Sequence, residues 1–253
     1  MYNRLFCKIF VGESVESLMK NSKLSYLRPL YLFFMLGLIV LTISRLTLFA
    51  WYKEQLVSVE NYMNLFILGF RMDVVLMSYL SLLPAVLLTF MPSSKRWYTT
   101  RIVAAYSGLF LVLILLAECI TPGFINRHGT RPNALLFDYL SHPAETLSLL
   151  FAQNTWSSLL VILALVAVVW GVVKSVKFVF YVEESDWKVR YLMLPVLAFF
   201  LFWGCRGSLT SSQPIDASSV AFSDDELANV MGVSSLYHWI SSSSRATPVE
   251  GEK

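Results

Sequence analysis

The chain has 253 residues, of which 56% are hydrophobic and only 15% are charged. An average soluble domain is about 25% charged, and the mean hydropathy here is +0.60. Because the apolar residues also come in runs longer than about 18, the composition excludes a soluble globular enzyme, a disordered protein and a disulfide scaffold. The net charge of +3 is too small to indicate a nucleic-acid partner.

Five apolar runs follow one another along the chain, and each predicts a membrane-spanning helix. They occupy residues 29–51, 66–91, 102–120, 156–173 and 191–205. About 20 helical residues cross a hydrocarbon core of ~30 Å, and lipid offers no partner for backbone groups outside a helix. The fifth run is short, so its helix is expected to extend through residues 206–209 to complete the crossing. The predicted membrane domain is therefore 29–209, preceded by a cytoplasmic segment, 1–28.

Basic residues predict the orientation of these helices. Five Lys and Arg residues lie in 1–28, three in the 92–101 loop and four in the 174–190 loop. Cytoplasmic segments carry an excess of Lys and Arg, so these three segments are predicted to lie on the cytoplasmic side. The N-terminus is then inside, and after five crossings the C-terminus is outside.

The segment between the third and fourth runs, 121–155, is predicted to be extracytoplasmic. It opens with the turn residues Pro122, Gly123, Gly129 and Pro132. Two short amphipathic stretches follow, at 133–140 and 143–151, and both are expected to lie along the outer membrane surface. The predicted fold class is thus an all-α integral membrane protein, a five-helix transmembrane bundle with short amphipathic extracytoplasmic helices.

The tail, 210–253, is predicted to be an extracytoplasmic juxtamembrane segment. Ser223 is followed by Glu226 three residues later, which is the pattern of a helix-capping box. Apolar residues continue at helical spacing, so a helix is predicted at about 224–240.

Ionisable residues inside membrane helices are functional-site candidates, and here they are Arg45, Arg71, Asp73 and Glu118. In the predicted topology all four lie at the depth of the outer headgroups. Arg71 and Asp73 are two positions apart and point to different faces of a helix. Each therefore needs another partner, such as Glu118 for Arg71 or Arg45 for Asp73.

Two interpretations of these charges remain open. In the first, they form interhelical salt bridges and reach towards the interface. In the second, they form a basic outer-leaflet pocket for an anionic lipid headgroup, because guanidinium groups suit phosphate, and Arg127 and Arg131 contribute to it. A proton path would need polar groups further in, which the inner halves of the helices hardly supply.

The sequence offers no catalytic constellation and no metal site. Its three histidines are too scattered for a metal-binding helix motif. Cys119 and Cys205 both lie near outer helix ends, where a disulfide is conceivable, but two free thiols are the favoured interpretation.

Three stretches together resemble one protein family. They are G-F-R-M-D-V-V-L-M-S-Y-L-S-L-L-P at 69–84, R-P-N-A-L-L-F-D-Y-L-S-H-P-A-E-T at 131–146, and R-G-S-L followed by Q-P-I-D, A-F-S-D-D-E-L-A-N and Ser235-Leu236-Tyr237. In this order they resemble the N-terminal membrane region of the lipoteichoic acid synthase and phosphoglycerol transferase family. That family belongs to the alkaline phosphatase/sulfatase superfamily, and the resemblance runs from the first helix to about residue 240.

The resemblance implies a transferase of the bacterial cytoplasmic (inner) membrane. Family members move a phosphoglycerol or phosphoethanolamine headgroup from a membrane phospholipid to an extracytoplasmic glycan or polymer. A threonine nucleophile and a divalent metal act in an extracellular α/β domain that would begin after residue 240. Asn229 matches the asparagine of the family's juxtamembrane helix. Where the family has a second asparagine, this chain has Ser234 and Ser235.

The expected function is a membrane-anchor and lipid-presenting domain that lacks its own catalytic domain. The chain is then a fragment, a truncated product or a subunit, its partners being membrane phospholipids and a separate or downstream sulfatase-type catalytic domain. One alternative is a structural or recruiting partner of another envelope protein. Another is a small transporter, for which polar residues deep in the bilayer and inverted repeats would be the signature.

Overall fold

A computed structural model describes residues 24–56, 62–133, 180–183, 185–207 and 225–246, with the single residues 135, 141, 166, 170 and 223 between them. All regular elements in this part of the chain are helices. Apart from residues 133, 135, 166 and 170, the predicted fourth run (156–173) and both amphipathic stretches of the 121–155 segment fall outside the described residues, as does most of the N-terminal segment.

Four of the helices are long and apolar enough to cross a membrane, so the chain is a multi-pass membrane protein. They are α1 (Arg28–Tyr52), α2 (Tyr62–Phe90), α3 (Arg96–His128) and α4 (Trp187–Arg206). They correspond to the first, second, third and fifth predicted runs. A count of five spanning helices stays a prediction.

The third helix is longer than the sequence predicted. The turn expected at Pro122 and Gly123 is wrong, because α3 continues through both residues and ends only at His128. Proline removes a backbone donor from a helix, but Phe124 and Ile125 are buried and extend the packed stripe of α3 beyond it. Gly129 then ends the helix with φ of 67°, a left-handed conformation that glycine adopts without strain.

The described part of the tail contains two helices where one was predicted at 224–240. They are α5 (Glu226–Met231) and α6 (Ser235–Ala246), separated by residues 232–234. The predicted cap at Ser223 is also wrong, because Asp225 caps α5 and its Oδ1 accepts the N–H groups of Leu227 and Ala228 at 3.0 and 3.3 Å. Aspartate caps helices as well as serine does.

Helix α2 lies at the centre of the described bundle and packs against α1, α3 and α4. Close packing of α1 on α2 places Gly37 against the Met77 side chain. In α4, by contrast, Arg190 is the only buried residue. The core therefore sits between α1, α2 and α3, and α4 lies at its margin.

Candidate functional site

A bidentate ion pair joins α1 to α2 at the end of the bundle that faces α5 and α6, which we call the tail-side end. Arg45 donates to both carboxylate oxygens of Asp73, at 2.6 and 2.9 Å. Both residues follow the packed stripes of their helices and are at most 3% exposed. Two parallel hydrogen bonds between charged groups are among the strongest that proteins form.

A second buried ion pair lies beside the first. Arg131, which follows the end of α3, donates from Nη1 to the Glu118 carboxylate, with the shorter distance 3.1 Å. Arg131 is 1% exposed and Glu118 is 7% exposed. Burial lowers the pKa of the Arg131 guanidinium, and the nearby Glu118 carboxylate opposes that shift. An arginine remains protonated in proteins, so Arg131 is a charged group at this position.

A hydroxyl and a shared backbone carbonyl connect the ion pairs into one network. Ser44, the neighbour of Arg45, donates its hydroxyl hydrogen to Glu118 at 2.6 Å. The backbone carbonyl of Met231 accepts from Arg45 at 3.4 Å and from Arg131 at 3.2 Å. We call Arg45, Asp73, Glu118 and Arg131 the four-charge cluster.

The four-charge cluster binds both ends of the break between α5 and α6. Arg131 donates to the carbonyls of Val230 and Met231, which lie at the C-terminal end of α5. Glu118 accepts the N–H of Ser235, the first residue of α6, at 2.9 Å. Cations favour helix C-termini and anions favour helix N-termini, so each charge lies at the helix end that suits it.

Apolar contacts reinforce this attachment of the tail. Ala228 and Met231 are completely buried against Leu48 of α1 and Leu65 of α2. The result is a juxtamembrane tail held by charge, hydrogen bonds and packing together.

Arg71 and Arg127 do not belong to the four-charge cluster. The predicted pairing of Arg71 with Glu118 is wrong, because Glu118 pairs with Arg131. Arg71 instead donates from Nε to the carbonyl of Gly207. Gly207 caps the end of α4 with φ of 64°. Arg127 is exposed near the end of α3. The other predicted pairing, Arg45 with Asp73, is present.

An arginine also holds a helix end at the opposite end of the bundle. Arg190 of α4 donates to the Met91 carbonyl, just after α2, at 2.8 Å and to the Ser93 hydroxyl at 3.1 Å. The last four carbonyls of a helix have no partner within that helix. Arginine side chains supply hydrogen bonds to carbonyls at or just after helix ends here, as Arg71 does for α4 and Arg131 does for α5.

Sequence reasoning missed the polar residues that complete the four-charge cluster. Ser235 Oγ lies 2.6 Å from Arg131 Nη1 and 2.5 Å from the Thr121 hydroxyl. Ser44 and Thr121 lie on the packed faces of spanning helices, beside ionisable residues. A polar residue adjacent to a buried charge was therefore the available signal. No comparable signal in the sequence predicts that the carbonyls of Val230 and Met231 accept hydrogen bonds from Arg131.

The described residues contain no group of three or more His, Cys, Asp or Glu side chains that could hold a metal ion. Accordingly, no metal ligand is assigned in this part of the chain. Cys119 and Cys205 are both free thiols, as the sequence favoured.

No protein-family model matches the chain. No solved structure matches it either.

Proposed function

We propose that the chain is the membrane-anchor and lipid-presenting domain of a phosphoglycerol- or phosphoethanolamine-transferase-type enzyme of the bacterial cell envelope. The resemblance of three sequence stretches to the lipoteichoic acid synthase family supplies the chemistry. The predicted orientation, with the N-terminus cytoplasmic and the tail outside, puts the four-charge cluster at the outer membrane surface.

One structural observation carries this proposal: the juxtamembrane tail is fixed to the spanning helices. Arg131 and Glu118 bind the facing ends of α5 and α6 from within the bundle. A soluble catalytic partner attached to α6 would then keep a constant height and orientation above the bilayer. A headgroup transferase needs this arrangement, because reacting groups must be held within a fraction of an ångström of their productive geometry.

The same geometry favours the salt-bridge interpretation of the four-charge cluster over a headgroup pocket. Arg45 and Arg131 already donate hydrogen bonds to carboxylates and to carbonyls of the tail. A headgroup would therefore have to displace the tail. The transporter alternative finds no support in the described helices, because Arg45, Asp73 and Glu118 are bound to other groups of the protein.

The proposed function can be tested in the host bacterium. Deleting the gene should stop the transfer of labelled glycerol phosphate or ethanolamine phosphate from phospholipid to envelope glycans. Expressing the chain together with the sulfatase-type catalytic domain should restore the transfer. If deletion leaves both labels unchanged in the envelope, the transferase assignment is wrong and the recruiting-partner alternative takes its place.

The predicted topology can be tested by labelling single cysteines in a variant without the three native ones. Ser93→Cys and Ser175→Cys should resist an impermeant maleimide in intact cells, whereas Ser212→Cys should react. The reason is that the 92–101 and 174–190 loops are basic and are retained inside. Labelling of Ser212→Cys only after the cells are opened would overturn the orientation.

The purified chain by itself is expected to show no turnover of phosphatidylglycerol with any divalent metal. Metal-assisted phosphoryl transfer requires a nucleophile and ligands fixed around the ion, and the sequence resemblance assigns neither to this chain. The measurement is release of glycerol phosphate in detergent with added Mg²⁺, Mn²⁺ or Zn²⁺. Turnover that follows the protein through successive columns would contradict the prediction.

A further inference from the structure

An apolar groove runs between α2 and α4 on the margin of the bundle. Tyr79, Val86 and Phe90 belong to its α2 wall, and Leu194 and Leu201 belong to its α4 wall. Its volume is about 520 Å³. The helices are antiparallel here, because Phe90 packs on Tyr191 with ring centroids 6.0 Å apart, while Ser78 approaches Gly204 near the other end.

The groove is chemically different at its two ends. Among the described residues that line it, only Arg206 is charged, and it stands at the end of α4 next to Gly207. Gly207 in turn accepts a hydrogen bond from Arg71, so two guanidinium groups lie near this end. The Thr89 hydroxyl, deeper in the groove, already donates to the carbonyl of Ala85 at 2.8 Å.

The length of the groove matches one leaflet. Leu194 and Arg206 are 12 residues apart on α4, which corresponds to ~18 Å along a helix at 1.5 Å per residue. Half of a ~30 Å hydrocarbon core is ~15 Å. An acyl chain entering at Arg206 would thus lie in the groove down to about the middle of the bilayer.

We propose that this groove holds one acyl chain of an anionic phospholipid, with the lipid phosphate beside Arg206. The apolar walls suit the hydrocarbon, and a planar guanidinium binds two phosphate oxygens at once. In the predicted topology the headgroup belongs to the extracytoplasmic leaflet. The site is separate from the four-charge cluster and does not depend on any transferase activity.

The test uses the full chain in nanodiscs containing phosphatidylglycerol with a photoreactive diazirine on its acyl chain. Filling the groove with Ala198→Trp should reduce labelling of α4 about tenfold, the factor that corresponds to 1.4 kcal/mol of binding. The matched control is Val196→Trp, which adds the same indole at an exposed position outside the groove. Ala198→Phe serves as a smaller filler if the tryptophan variant does not fold. Equal labelling in the Ala198 and Val196 variants overturns the proposal.

A second arm tests the headgroup. Labelling by the phosphatidylglycerol probe should exceed labelling by a phosphatidylcholine probe carrying the same diazirine chain. Arg206→Gln should abolish this preference, whereas Lys188→Gln, at the other end of α4, should preserve it. A preference that survives Arg206→Gln shows that the phosphate does not lie beside Arg206 and contradicts the proposed site.

Discussion

Replacing Glu118 by glutamine is expected to release the tail from the membrane helices. The amide keeps the shape of the side chain but removes the negative charge that faces Arg131, which is 1% exposed. Removing one partner of a buried ion pair costs about 3–5 kcal/mol. A loss of 3 kcal/mol corresponds to about a hundredfold change in a local opening equilibrium.

Hydrogen exchange measured by mass spectrometry reports this release directly. Amides of α5 and α6 should exchange about a hundredfold faster in Glu118→Gln, while those of α1 and α2 should keep their rates. The matched control is Glu54→Gln, because Glu54 is an exposed glutamate just after α1. Equal protection of the tail in the two variants would show that the ion pair does not hold it.

A double variant separates the charge from the shape of the site. Replacing Arg131 by glutamine in the Glu118→Gln background removes the uncompensated buried cation. The two losses should therefore be far from additive, since residues within one ion-pair network are coupled. Additive losses would mean that Arg131 acts mainly through the carbonyls of Val230 and Met231.

The sequence predicted the spanning helices well because their signal is local. A run of apolar residues near 20 long has one stable arrangement in a bilayer, and four of the five predicted runs appear as helices in the described part of the chain. The exact ends were harder to predict. Pro122 and Gly123 normally mark turns, but the buried contacts of Phe124 and Ile125 extend α3 past them.

The sequence predicted the residues of the candidate site better than it predicted the contacts between them. Arg45, Asp73 and Glu118 were identified because charges inside membrane helices are expensive. The true partner of Glu118, Arg131, follows the end of α3, and contacts between segments are not encoded in helical spacing. The sequence did not predict the role of the tail for the same reason, since Arg131 reaches backbone carbonyls about a hundred residues away.

The tail-side end depends on a second contact, the close approach of Arg45 to the α2 backbone at Gly69. The Arg45 guanidinium crosses directly over the α2 backbone at Gly69 on its way to Asp73, one helical turn further along. A methyl group at position 69 would overlap Arg45 Cζ and Nε. The guanidinium is locked between Asp73 and the carbonyl of Met231, so it has little room to yield.

Gly69→Ala is therefore expected to destabilise the protein, although glycine to alanine normally favours a helix. Overpacking costs about 1–3 kcal/mol, and displacing Arg45 from Asp73 raises the loss towards the ~3–5 kcal/mol of a broken buried pair. The control is Gly123→Ala in α3, where an added Cβ meets no atom within 4 Å. There the substitution should stabilise the helix by about 0.5–1 kcal/mol. Thermal unfolding of both variants in one detergent should move in opposite directions from the unmodified chain. A rise in Tm for Gly69→Ala would show that Arg45 does not need the space that glycine leaves on α2.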